Sequence, residues 1–69
     1  MATLLSTEAH RVLELGATGL TTPEIADRLD MSVAEVRQYW RDAITAIGAT
    51  SRLDAVVKAM QRGLIDVPR

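Results

Sequence analysis

Ser32-Val-Ala-Glu35 is the feature that most restricts how this chain can fold. A serine followed three residues later by glutamate is a capping box. The hydroxyl accepts from the third helical N–H, and the glutamate reaches back to the backbone of the serine. Behind it, Val36, Trp40, Ala43, Ile44 and Ile47 recur at steps of four, three, one and three. That is one apolar stripe of a 3.6-residue period. The opposite face carries Ala34, Glu35, Arg37, Gln38, Arg41, Asp42 and Thr45. The pattern predicts an amphipathic helix over about 33–47.

Three more helix starts can be read the same way. Thr21-Thr-Pro-Glu24 is a further candidate for a capping box, with Pro23 tolerated in the first turn because its missing N–H costs nothing there. Ser51-Arg-Leu-Asp54 is a close relative with Asp for Glu, and Ser6 or Thr7 ahead of Glu8 opens the first helix. Gly19, Gly48 and Gly63 each follow an apolar-periodic stretch and suit the left-handed position that ends a helix. Pro68 is expected to end the ordered chain. The predicted helices run over about 7–18, 22–29, 33–47 and 52–62. No segment alternates apolar and polar residues long enough for a strand. The expected fold is all-α, a four-helix bundle.

A short helix with Ile25, Ala26 and Leu29 inward, the tight Asp30-Met-Ser32 connection and a longer amphipathic helix make a helix-turn-helix pattern. Val12, Leu13 and Leu15 of the first helix, Leu20 in the loop, and Leu53, Val56, Met60 and Leu64 are expected to close a core around it.

With 69 residues there is room for one domain over 1–69, its core at about 5–65. A core this small supplies only a few kcal/mol of net stability. The chain has no Cys, which removes disulfides and thiolate metal sites, and its single His10 makes a zinc site improbable. Oligomerisation is the stabilising device left. No apolar run approaches the ~20 residues that span a bilayer, and Met1 to Ser6 lack the basic and apolar regions of a signal peptide. The expectation is a cytoplasmic protein that does not enter membranes. Its formal net charge of −1 argues against strong nucleic-acid binding, which rests largely on phosphate neutralisation.

The residues from Leu5 to Ile65 resemble the LuxR-type, or GerE-family, helix-turn-helix domain without gaps. The resemblance runs through Leu5-Ser-Thr, Val12-Leu13-Glu-Leu15, Gly19-Leu20-Thr-Thr, Glu24-Ile-Ala-Asp-Arg-Leu29, Met31-Ser32, Val36-Arg37, Gly48, Ser51-Arg52, Ala55-Val56 and Gly63-Leu64-Ile65. It implies a third helix that recognises double-stranded DNA in the major groove. It also implies dimerisation through the last helix and a role in bacterial transcription control. The length fits a stand-alone GerE-type protein, or equally an excised effector domain of a response regulator or autoinducer receptor. The chain departs from the family where recognition-helix basic residues are common. Glu35-Val-Arg-Gln-Tyr39 is followed by Asp42, Thr45 and Ala46, and Thr50 and Ala9 replace a frequent Arg and a typical Glu.

On that reading, Arg37 contacts a phosphate or bridges guanine O6 and N7. Gln38 pairs with adenine or is an ordinary exposed residue. Arg41 reaches a phosphate or pairs within its own helix. Ala34 shares their face. Glu35 either accepts from a cytosine amine or closes the cap of Ser32, and its spacing favours the cap. Thr21 and Thr22 offer hydroxyls and backbone N–H groups to a phosphate while capping the second helix. Trp40 belongs to the core, Tyr39 lies beside the stripe, and His10 is a surface residue without an acid partner. In the last helix, Val56 and Ala59 with part of Leu53 serve the core. Val57, Met60 and Gln61 then face a partner across a two-fold axis. RNA polymerase or another regulator is a further possible partner.

No Gly-rich phosphate loop, His–carboxylate pair at a catalytic spacing or metal set is read from the residues, so neither an enzyme nor a cofactor or small-molecule site is expected. The rival to a DNA-binding regulator is a protein-interaction module on the same fold. On the third helix Arg37 and Arg41 are balanced by Glu35 and Asp42, and such a module would have lost its DNA-binding face to that neutrality.

Overall fold

Four Ser or Thr side chains set where the helices begin. The computed structural model describes residues 5–66, in which α1 spans Thr7–Ala17, α2 Thr22–Leu29, α3 Val33–Ile47 and α4 Arg52–Gln61. Ser6, Thr21, Ser32 and Ser51 are the N-caps, and each side chain accepts from the backbone N–H three residues on. Such caps are worth about 1 kcal/mol each against alanine. Both capping boxes are closed. The N–H of Thr21 donates to Glu24 at 2.8 Å, and that of Ser32 to Glu35 at 3.0 Å. Asp54 is one methylene shorter than Glu. It takes the N–H of Thr50 at 2.9 Å instead, one residue outside the cap.

The first and last helices end one residue earlier than the pattern predicts. Thr18 and Arg62 act as C-caps, and Gly19 and Gly63 follow them. Gly48 caps α3 directly in the left-handed region, with φ of 76°. The end of α2 is different. Asp30 takes the same backbone region at φ 56°, alone among the described non-glycine residues. Pro68 lies outside the described residues.

The core is one cluster of small and aliphatic side chains around Trp40. It holds Ala9, Val12 and Leu13 of α1, Ile25 and Ala26 of α2, Val36, Trp40, Ala43 and Ile47 of α3, Ala55, Val56 and Ala59 of α4, and Ile65. Leu15, Leu20, Leu29, Ile44, Met60 and Leu64 pack at its margin. Helix α3 touches all three other helices, whereas α2 and α4 do not pack on one another.

Leu53 corrects the expected core, because it is 74% exposed. The cause is the rotation of α4. Ala55, Val56 and Ala59 face inward, and at about 100° per residue Leu53 then stands more than a quarter-turn away. Two alanines at the contact let α4 approach closely, and that approach decides which face is buried.

Gly16 explains the approach of α1 to α3. A Cβ there would fall on the Cζ2 and Cη2 atoms of Trp40, far inside van der Waals contact. A glycine inside a helix costs roughly 1 kcal/mol against alanine. Here it makes room for the indole.

His10 is a second correction. It is half-buried, and its Nδ1 lies 3.2 Å from Glu14 one turn on. Its Nε2 meets the carbonyl oxygen of Leu64. A carbonyl only accepts, so Nε2 donates. The ring thus ties α1 to the segment after α4. Among the described residues no helix is long and apolar enough to cross a membrane.

Candidate functional site

The outer face of α3 is set by the burial of its inner one. Val36, Trp40, Ala43 and Ile47 point into the core, so Ala34, Glu35, Arg37, Gln38 and Arg41 are exposed. Around the helix, Ala34, Arg37, Gln38 and Arg41 fall within about 100° of one another. Glu35 and Asp42 sit together at one edge of that arc. All five expected recognition-helix residues are therefore at the surface, and four share one strip.

Their side chains are not equally free. Glu35 is held by the backbone N–H of Ser32, in the capping role that its spacing favoured. Gln38 donates from Nε2 to Oδ1 of Asp42 at 2.9 Å and accepts at Oε1 from Arg41 at 3.0 Å. Arg41 thus pairs within the helix, though through the amide rather than directly with an acid. Arg37 makes no hydrogen bond or ion pair with any described residue.

Thr21 and Thr22 lie at the start of α2, where the helix dipole favours anions. Thr21 is occupied in the capping box. The Thr21 backbone N–H, and then its side chain, hold the Glu24 carboxyl below the ordinary glutamate range. The hydroxyl of Thr22 is half-buried and accepts from Nη1 of Arg52 at 3.0 Å.

Arg52 is the residue that sequence reasoning passed over. It reaches across the gap between α4 and α2, and its guanidinium stands 5.4 Å from the centroid of the Trp40 ring. Such a cation–π contact is worth roughly 0.5–1 kcal/mol at an exposed site. Nothing in the local pattern of Ser51-Arg52 announces this, because both partners belong to other helices. Trp40 itself is 4% exposed, as its place on the stripe required, and its Nε1 has no hydrogen-bond partner.

Two other cations are committed internally. Lys58 donates to the carbonyl oxygen of Gly48 at 3.3 Å and to Asp54 at 2.9 Å. Arg62 donates to the carbonyl oxygen of Ile47 at 2.9 Å. Basic side chains of α4 and its C-cap thus satisfy orphan carbonyls at the end of α3, where positive charge also complements the dipole. The Lys58 ammonium, and then the Thr50 N–H, hold the Asp54 carboxyl below the ordinary aspartate range.

The three residues expected to face a partner divide. Val57 is 41% exposed, Gln61 is exposed and Met60 is half-buried. Val57 and Met60 line a groove of about 420 Å³ that also takes in Leu53, Thr21, Thr22 and Trp40. Gln61 lies outside it. The groove joins two sets of residues that the sequence had kept apart, because Arg52 bridges an opening that no helix fills.

Comparison with known proteins agrees with this arrangement. The family model for bacterial regulatory proteins of the luxR family, GerE, matches residues 3–59. The response regulator RamR of Streptomyces coelicolor is 40% identical over 52 residues, which is 75% of this chain and 26% of RamR. The chain therefore spans about a quarter of that relative's length. The solved structure of the transcription factor GerE superposes with a TM-score of 0.89 at 21% identity. That match covers 97% of this chain and 100% of the other. The chain belongs to the luxR family of bacterial regulatory proteins, and its fold is the helix-turn-helix domain of that DNA-binding, transcription-regulating family.

Proposed function

We propose that this chain binds double-stranded DNA sequence-specifically, with α3 in the major groove, and acts as a dimer through α4. The observation that carries the reading is the exposed strip of α3. It sets Arg37, without a partner among the described residues, beside Ala34, whose small side chain lets a groove edge come near, and beside Gln38 and Arg41. Arg37 contacts guanine or a phosphate, and Gln38 reads a base edge. Arg41 keeps donors for a phosphate after serving Gln38. Thr21 and Thr22 offer the N-terminus of α2 to the backbone of the duplex. Glu35 stays on its cap, and its charge weakens rather than directs binding. Leu53, Val57, Met60 and Gln61 meet their symmetry mates on the other protomer. RNA polymerase or a second regulator is the further partner such a dimer would engage.

With so many cations engaged internally, the salt dependence is shallow, equivalent to roughly two to four phosphates per domain. A titration of duplex DNA at about 50 and 200 mM salt tests this. Arg37→Ala is expected to weaken binding about tenfold without changing the fold. No binding at the lower salt, with Arg37→Ala inert, sinks the proposal and favours a protein-interaction module. The charge balance on α3 speaks for that second reading.

A further inference from the structure

The hydrogen bonds on the outer face of α3 do more than occupy its side chains. Gln38 lies between Arg41, which can only donate, and Asp42, whose ionised carboxylate can only accept. An amide placed between two ambivalent neighbours can flip by half a turn and exchange its oxygen and nitrogen. Here the flip would set Oε1 against the Asp42 carboxylate and Nε2 against the Arg41 guanidinium, so both hydrogen bonds would become repulsions. After both bonds are made, Gln38 keeps one lone pair on Oε1 and one hydrogen on Nε2. A base edge that pairs with both must offer a donor to the oxygen and an acceptor to the nitrogen. In the major groove, adenine does so through N6–H2 and N7.

We propose that Asp42 is a positioning residue that sets the base preference of α3, by locking the Gln38 amide in the orientation that selects adenine. The inference rests on the DNA-binding reading above. It gives a role to a carboxylate that otherwise only repels phosphates. Asp42 lowers affinity for every duplex through its charge and restores it for the duplex whose base matches the locked amide.

These two effects have opposite signs, and that makes them separable. The probe is a pool of duplexes of roughly 20 base pairs with randomised central positions, enriched by the whole chain and then sequenced. Asp42→Asn keeps the size of the side chain but can donate as well as accept, so it removes one of the two repulsions that oppose the flip and leaves only that at Arg41. The expected result is that the chain enriches adenine at one position per half-site. Asp42→Asn should reduce that preference about tenfold while affinity for unselected duplexes rises. Gln38→Ala should remove preference at the same position and leave the others. If Asp42→Asn raises affinity for all duplexes equally and keeps the adenine preference, Asp42 acts by charge alone and the proposal is overturned. If the chain prefers another base at the position that Gln38→Ala relaxes, the locked amide is not the reader, and the proposal is overturned again. If the unaltered chain enriches nothing at low salt, the DNA-binding reading itself fails and takes this inference with it.

Discussion

The outer faces of α3 and α4 are both exposed sides of amphipathic helices, yet they meet solvent with opposite chemistry. On α3, Gln38, Arg41 and Asp42 are linked by hydrogen bonds, and Glu35 is returned to its own backbone. Apart from Arg37, that face rests in water with its charged and amide groups already partnered. On α4, Leu53 is 74% exposed and Val57 41%, beside a groove that Met60 and Trp40 help to line. Water gains nothing from that face, and covering it would be favourable by roughly 1.5–3 kcal/mol per large aliphatic side chain. The contrast teaches that anything binding the α3 face must compete with internal bonds, whereas anything covering the α4 face competes only with water. Trp40 joins them, since it projects from α3, accommodates Gly16 of α1 and carries Arg52 of α4 on its ring.

The largest expected effect breaks the comparison on the α4 side. Leu53→Gln with Val57→Gln should weaken self-association by more than about a hundredfold, read by analytical ultracentrifugation. The melting temperature at low concentration should barely move, because neither side chain belongs to the core. A chain that stays monomeric at high concentration before any substitution removes the dimer from the proposal.

Gly16→Ala tests the joint under both faces. Helix propensity alone predicts stabilisation. The clash with the Trp40 indole predicts the reverse, a loss of about 1–3 kcal/mol in urea unfolding. It should also disturb both faces at once, because the indole has nowhere to go without moving α3 or Arg52. A stabilised variant would show that the helices separate easily and that the two faces are independent.

A smaller effect sharpens the comparison by pH. Glu24 at the start of α2 and Asp54 at the start of α4 are both held below their ordinary carboxylate ranges by hydrogen bonds made only in the folded state. A carboxylate with a lowered folded value contributes stability that is present above its unfolded value and lost as pH falls through the folded one. The acid limb should therefore begin near about pH 4.3 for Glu24 and about 3.9 for Asp54. Glu24→Gln retains a capping side chain but should flatten the first part of that limb. Asp54→Asn should flatten the later part. An unchanged acid limb in both variants would mean that the caps hold equally well when protonated.

What could be read in advance follows a physical line. The N-caps of α2, α3 and α4, both capping boxes and the stripe through Trp40 depend on residues within one turn of each other, so spacing alone locates them, whereas it left the cap of α1 between Ser6 and Thr7. The exposed positions of Arg37, Gln38 and Arg41 follow from the same periodicity. Leu53 was misplaced because its fate depends on how α4 is rotated, and α4 is amphipathic enough for more than one rotation. His10 was misread because one of its partners, the carbonyl of Leu64, lies 54 positions away. The four-residue spacing to Glu14, a contact within α1, was the signal that was there to be used.

The order and class of the helices, their caps, and the stripe that divides each into an inner and an outer face were set by local sequence. Local hydrogen bonds and side-chain periodicity act within a few residues and need no distant partner. Tertiary structure decided which face of α4 remained apolar and open. It decided that Arg52 would span to Thr22 across Trp40, and that Lys58 and Arg62 would serve the end of α3. Those outcomes depend on how closely helices approach, and that distance is governed by side chains such as Gly16, Ala55 and Ala59, which act through their lack of bulk.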